Sequence, residues 1–207
     1  MHKILLIFGL IFCGKANLAQ EINTFKDSRD GQVYKYITLG TQTWMAENVN
    51  FKTLDSWCYD DNVSNCKKYG RLYTWEAALN ACPDYWHLPS EEEWIILERY
   101  LGMTEEEVKI IQYRGEGMGS KLKSESDWET NSDQNRELNI TGFSALPGGY
   151  RLFTDGTFKD LGKRASWWSS TPDGRYAMRR ALFHNKSGID RDPATRALGF
   201  SVRCVKD

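Results

Sequence analysis

From Phe143 to the C-terminus the sequence holds only short strand-like runs, and no 3.6-residue apolar period separates them. The runs are Tyr150-Arg151-Leu152-Phe153, Thr157-Phe158, Ala165–Ser170, Arg175–Phe183, Ile189–Arg191 and Gly199–Val205, with Asp155-Gly156 as a turn signal between the first two. Parallel neighbours need a long crossover, usually a helix, so these strands are expected to pair antiparallel. This feature, more than any motif, limits what the chain can fold into.

The first half adds both kinds of element. Asp30-Gly31 and Gly40-Thr41 turn the chain around Val33–Leu39 and into Gln42–Met45, which predicts a β-meander over about residues 23–46. Residues 52–70 read as a polar loop. Its Asp60, Asp61, Asn62 and Asn65 are oxygen ligands, but they lack EF-hand spacing and read as solvated. Thr74 is an N-cap for a helix with Trp75, Ala78, Leu79 and Cys82 on one face, stopped by Pro83. Ser90-Glu91-Glu92-Glu93 is a capping box that opens a second helix with Trp94, Leu97 and Leu101 inside and Gly102 at its end. Its acidic triplet is explained by the helix dipole rather than by a metal. A third short helix is expected from Thr104, boxed by Glu107. Residues 114–140 are expected to form a long surface excursion with a helical turn near 120–123. The order of strands, helices, long loop and strands argues for an α+β fold in one domain, residues 20–207.

Residues 1–19 have the three-part pattern of a secretory signal: a basic start, an apolar run from Ile4 to Cys13, and a small-residue exit at Ala16–Ala19. Cleavage is expected after Ala19, leaving 188 residues. Lipid attachment at Cys13 is the alternative, disfavoured by Phe12 before it. The apolar run is too short to span a bilayer, and no other stretch is a transmembrane candidate. Export puts the protein at the cell surface, in the periplasm or outside the cell. The 27 basic and 28 acidic side chains nearly cancel, so there is no basic stripe for a nucleic acid. Setting Cys13 aside leaves Cys58, Cys66, Cys82 and Cys204, an even number in an exported chain. Three pairings exist. Cys58–Cys66 as a local clamp with Cys82–Cys204 as a long staple is preferred, and reduced buried cysteines are the alternative. The spacing disfavours zinc, and neither a metal nor a cofactor is expected.

Six phrases in order resemble the Fibrobacter succinogenes major paralogous domain family of exported bacterial proteins. They are Gly40–Asn48, Gly70–Trp75, Cys82-Pro83 with Trp86–Ser90 and Glu93-Trp94, Gly142–Gly149, Trp167–Thr171, and Gly199–Cys204. The resemblance runs from about residue 25 to the C-terminus and implies no biochemical role, because that family lacks an assigned one. More distantly, Leu88-Pro89-Ser90 with Glu93-Trp94, the paired glycines and the closing Gly-Phe…Arg-Cys are similar to formylglycine-generating (sulfatase-modifying factor) enzymes. This likeness implies a variant of the C-type lectin-like fold: antiparallel strands, two to three helices and long loops. In that fold a staple joins the first helix to the last strand, where Cys82 and Cys204 lie.

Catalytic signals are weak. The formylglycine-generating reaction needs two reactive cysteines, whereas these four read as disulfides. The calcium-dependent lectin signatures Glu-Pro-Asn, Gln-Pro-Asp and Trp-Asn-Asp are absent. His87 reads as structural, and no Gly-x-Ser-x-Gly elbow frames Ser166, Ser169 or Ser170. Aromatic and cationic residues remain, since sugars stack on exposed rings and interfaces favour Trp, Tyr and Arg. The candidate ligand surface is Trp128, Tyr150, Arg151, Trp168 and Arg191. Trp167 and Trp168 are adjacent in a strand and point to opposite faces, so both are buried only if both faces are covered. The expected function is an exported, non-catalytic binding or interaction module whose partner is a polysaccharide or a surface protein. The alternatives are an enzyme derived from the formylglycine-generating superfamily and a purely structural surface protein.

Overall fold

The structure, a computed structural model, describes residues 21–129 and 138–207. The signal segment 1–19 and Cys13 lie outside the described residues. Asn23–Lys26 (β1), Val33–Leu39 (β2) and Gln42–Met45 (β3) form the expected meander. They are followed by Ser56–Trp57 (β4), Val63–Tyr69 (α1), Leu72–Tyr73 (β5), Trp75–Ala78 (α2), Trp86–His87 (β6) and Glu91–Leu101 (α3). Then come Gln112–Arg114 (β7), Gly148–Arg151 (β8), Phe158–Leu161 (β9), Arg164–Asp173 (β10), Tyr176–Phe183 (β11), Ile189–Thr195 (β12) and Val205–Lys206 (β13).

One sheet has the order β1-β2-β3-β13-β6 and a second β10-β11-β12-β7, with two-stranded β4-β5 and β8-β9 beside them. Every paired strand is antiparallel. The fold is α+β, a single small domain in which strands outweigh helices.

The expected strand over Gly199–Val205 is regular only at β13. Residues 199–204 instead form a seam between sheets. Gly199 pairs with Arg151, and Phe200 exchanges both backbone hydrogen bonds with Tyr73. Ser201 bonds Ser166, the Val202 carbonyl accepts from Val49, and the Cys204 carbonyl accepts from Met45. A segment bonded to five such partners cannot keep one register, which is why the β-rich sequence does not become one strand. Disulfides join Cys82 to Cys204 and Cys58 to Cys66, so the staple ties the end of the α2 region to this seam.

The core lies on both sides of β10. Trp167 packs with Trp44, Trp94 and Phe143 on one side, and Trp168 packs with Tyr73, Trp75 and Phe200 on the other. Both indoles are buried because both faces are covered. Each indole N–H has a partner, Asn48 Oδ1 at 2.9 Å for Trp167 and the Tyr73 carbonyl at 2.8 Å for Trp168.

Four expectations change. Residues 63–69 are helical, not loop: Asn62 accepts from the Ser64 N–H at 2.9 Å, and the Cys66 and Tyr69 side chains are buried. Only two apolar residues face inward there, too few to show a period. α2 stops at Ala78, and Leu79 is exposed rather than inside. Arg29 captures the Ala81 and Cys82 carbonyls at 2.8 and 2.9 Å, a tertiary contact that competes with helix continuation. α3 has the capping box as read, whereas the Thr104–Glu107 box forms its hydrogen bonds but opens only a 3-10 turn, Glu107–Lys109. The excursion after Arg114 is not wholly superficial. Ser120, Leu122, Lys123 and Ser124 are buried, and Lys123 Nζ donates to the Phe183 and Lys186 carbonyls at 2.6 and 2.7 Å.

Candidate functional site

The proposed ligand surface does not assemble as the sequence suggests. Trp168 is 0% exposed and is a core residue, so its place on that surface is withdrawn. Half-buried Trp128 packs on the Trp44–Trp94 cluster and donates to the Ala145 carbonyl at 3.0 Å. Arg191 is paired with Glu91 at 2.7 Å, on the α3 side of the second sheet. Arg151 lies 4.0 Å over the Trp57 ring, so it and Tyr150, adjacent on β8, diverge.

Tyr150 alone of the five lines a concave pocket of about 420 Å³. Its wall comes from β8 (Tyr150), the β8–β9 turn (Phe153), β10 (Arg164), β11 (Tyr176, Arg179) and the seam (Phe200). Trp168 lies beneath, its ring 4.5 Å from that of Phe200, and Tyr150 contacts the same phenyl ring edge-on at 6.1 Å. Two sequence candidates therefore meet on Phe200, one as wall and one as foundation. Phe153 stands half-exposed at the rim. Gly149 makes this wall possible: its φ is +66°, and a Cβ there would collide with the Lys159 carbonyl of β9 and the Tyr59 ring.

Arg164 was not singled out from the sequence, and it carries the chemistry. Arg164 is half-buried, its guanidinium 4.7 Å over the Tyr150 ring, 5.3 Å over Phe183 and 5.6 Å over Phe200. Nε donates to Ser166 Oγ at 2.8 Å. Among the described residues no carboxylate lies within ion-pairing distance and neither Nη has an acceptor. Burial, with Arg179 beside it, pulls its pKa down to about 10, so it stays cationic at neutral pH. Arg179, by contrast, is held by Asp190 at 2.8 Å and Asp192 at 3.6 Å. No local signal marks Arg164, because its lack of a partner is a property of distant strands.

Two other clusters are built on ion pairs. Glu98, fully buried on α3, accepts from Arg180 Nε and Arg114 Nη2, each at 2.6 Å, while Glu91 takes Arg180 Nη1 and Arg191. The acidic start of α3 is thus an ion-pair anchor as well as a cap. A larger hollow of about 650 Å³ lies by Phe25, Tyr85 and Trp86. Its acids Asp27 and Asp207 are paired, with Arg29 and with His87 at 2.6 Å, while Lys26 and Lys206 on its lining have no ion-pair partner among the described residues. Both lysines are exposed, whereas the smaller pocket encloses a half-buried arginine among aromatic rings, so the smaller pocket is the better candidate. Among the described residues no cluster of His, Cys, Asp and Glu is arranged to hold a metal ion, and no helix is long and apolar enough to cross a membrane.

Fold and site together define a class: a small, doubly disulfide-bonded α+β domain with a pocket walled by aromatic rings over an arginine. The chain belongs to the Fibrobacter succinogenes major domain family, whose pattern matches residues 37–206. Neither the curated proteins nor the solved structures gave a match.

Proposed function

We propose that this domain is an exported, non-catalytic binding module of the cell surface or extracellular space, and that the pocket beside Tyr150 takes a polysaccharide. One observation carries this reading: a concave site built of Tyr150, Phe153, Tyr176 and Phe200 around a cation without a carboxylate partner. Aromatic rings offer stacking faces to a sugar, and pockets of roughly 300–1,000 Å³ with few convergent polar groups are the usual form of a ligand site. Two disulfides suit an oxidising compartment. The link from Cys82 to the closing seam is the staple that a C-type lectin-like relationship implies. All four described cysteines are in disulfides, which leaves no thiol pair for formylglycine-generating chemistry.

The test is a glycan array probed with the secreted protein, repeated with Phe153→Ala and Tyr150→Ala. Binding that these variants weaken, with unchanged thermal unfolding, supports the reading. Binding that survives both places the site elsewhere, and capture of surface proteins alone replaces the polysaccharide.

A further inference from the structure

The buried arginines of this protein each have at least one carboxylate, amide or carbonyl acceptor, although Arg114 Nε and Nη1 and Arg180 Nη2 have none of their own. Arg114 and Arg180 share Glu98. Arg179 has Asp190 and Asp192, and Arg203 has the Asn48 side chain and the Phe143 carbonyl. A guanidinium whose Nη groups lack a protein acceptor and still reach solvent can be completed by water or by an anion. Arg164 differs in place: it is half-buried, neither of its Nη groups has an acceptor among the described residues, and it lines the pocket.

We propose that Arg164 is a carboxylate receptor, and that the pocket's ligand is a uronate residue of an acidic polysaccharide. This inference rests on the binding-module reading above.

Three observations point to that chemistry. First, Nε is anchored to Ser166 and the guanidinium plane is fixed against three rings, so the Nη groups are pre-oriented. A planar fork of N–H donors matches the two oxygens of a carboxylate. Second, the surrounding charge favours a single negative charge. Arg179 is neutralised by its two aspartates, and Asp160 and Asp190 add negative field near Arg164. A phosphate dianion would meet one unmatched cation and nearby acids, whereas a carboxylate balances Arg164 alone. Third, half-exposed Phe153 borders the pocket with Tyr150 and Tyr176 beside it, so the C–H side of a pyranose ring can stack on an open ring while its carboxylate reaches inward. A sugar acid offers both features in one residue.

The experiment is titration calorimetry of the full chain with oligomers of galacturonate, glucuronate and mannuronate, each against its methyl ester. Esterification removes the charge and preserves the ring. At least one acid is expected to bind, with its ester at least tenfold weaker. Arg164→Gln should erase that acid-over-ester ratio, while Tyr176→Ala weakens acid and ester together. Arg164→Lys should retain only part of the ratio, because it keeps the charge and loses the fork. If Arg164→Gln does not fold, the acid-to-ester ratio of the unaltered protein decides alone.

Equal binding of acid and ester overturns the proposal, as does a ratio that survives Arg164→Gln. Binding of a neutral oligosaccharide alone, abolished by Tyr150→Ala, overturns the uronate inference and leaves the binding-module reading standing. A peptide bound through its free C-terminal carboxylate, and lost on amidation, overturns the sugar class. No binding of glycan or peptide at this pocket overturns both.

Discussion

Replacing Asn48 by Ala should unsettle this protein more than any comparable change in a polar residue. Asn48 is 6% exposed and sits between the two clusters. Its Oδ1 accepts from Arg203 Nε at 3.1 Å, Arg203 Nη2 at 2.8 Å and the Trp167 indole at 2.9 Å. Its Nδ2 donates to the Tyr69 carbonyl at 2.8 Å. Arg203 is fully buried and has no carboxylate partner among the described residues. Burial pushes its pKa down to about 9, and only the charge of Glu47 opposes that. Asn48→Ala strands half a guanidinium, an indole N–H and a carbonyl. Each neutral orphan costs about 1–3 kcal/mol and the charged group more, while water entering the vacated space returns part of this. The expected loss is about 4–6 kcal/mol, read as a lower urea midpoint at unchanged slope. Asn48→Asp keeps the acceptor, pairs with Arg203 and loses only the donor to Tyr69, so it should lose less. A loss below about 1.5 kcal/mol for Asn48→Ala, or an Asp variant as weak as the Ala one, refutes the reasoning.

Three further outcomes are expected. Glu98→Ala removes the shared partner of two buried arginines and should cost about 3–5 kcal/mol in denaturant unfolding; a wild-type midpoint would show that the network is not what holds α3 to the second sheet. Cys82–Cys204 closes a separation of 122 residues and Cys58–Cys66 one of 8, so chain entropy predicts about 5 and about 2.5 kcal/mol; comparing Ser variants of each pair by thermal melting should show the larger loss for the staple. His87 lies between Glu93 and Asp207, each at 2.6 Å; burial lowers its pKa, but these two bonds and charges outweigh it, and the value is raised above the usual 6.5. The clamp's stabilisation is therefore full below about pH 6.5 and is lost as pH rises through the raised value, so the melting difference between wild type and His87→Gln should shrink from pH 5.5 to 8.5, and a difference that grows would reverse the assignment.

Much of the secondary structure was legible because it rests on local chemistry. The Ser90–Glu93 box, the Thr74 cap and the Asp155-Gly156 turn each satisfy their own backbone within a few residues. α1 was hidden because its support is a disulfide and two inward side chains rather than a period. The candidate site was legible only in part. Tyr150, singled out by its chemical type, lines the proposed pocket, Trp168 lies one layer below it, and Arg164 carried no signal.

The sequence by itself determined the antiparallel α+β class, the cysteine count and the alternation that sends Trp167 and Trp168 to opposite faces, since each follows from neighbours along the chain. The tertiary structure alone decided that residues 199–204 act as a seam. It also decided that Glu91 and Glu98 anchor three arginines and that Arg164 is left without a carboxylate beside an open pocket. The physical reason is that pairing and desolvation depend on which groups converge from distant strands. An arginine's residue type gives its charge, and only the fold sets what faces that charge.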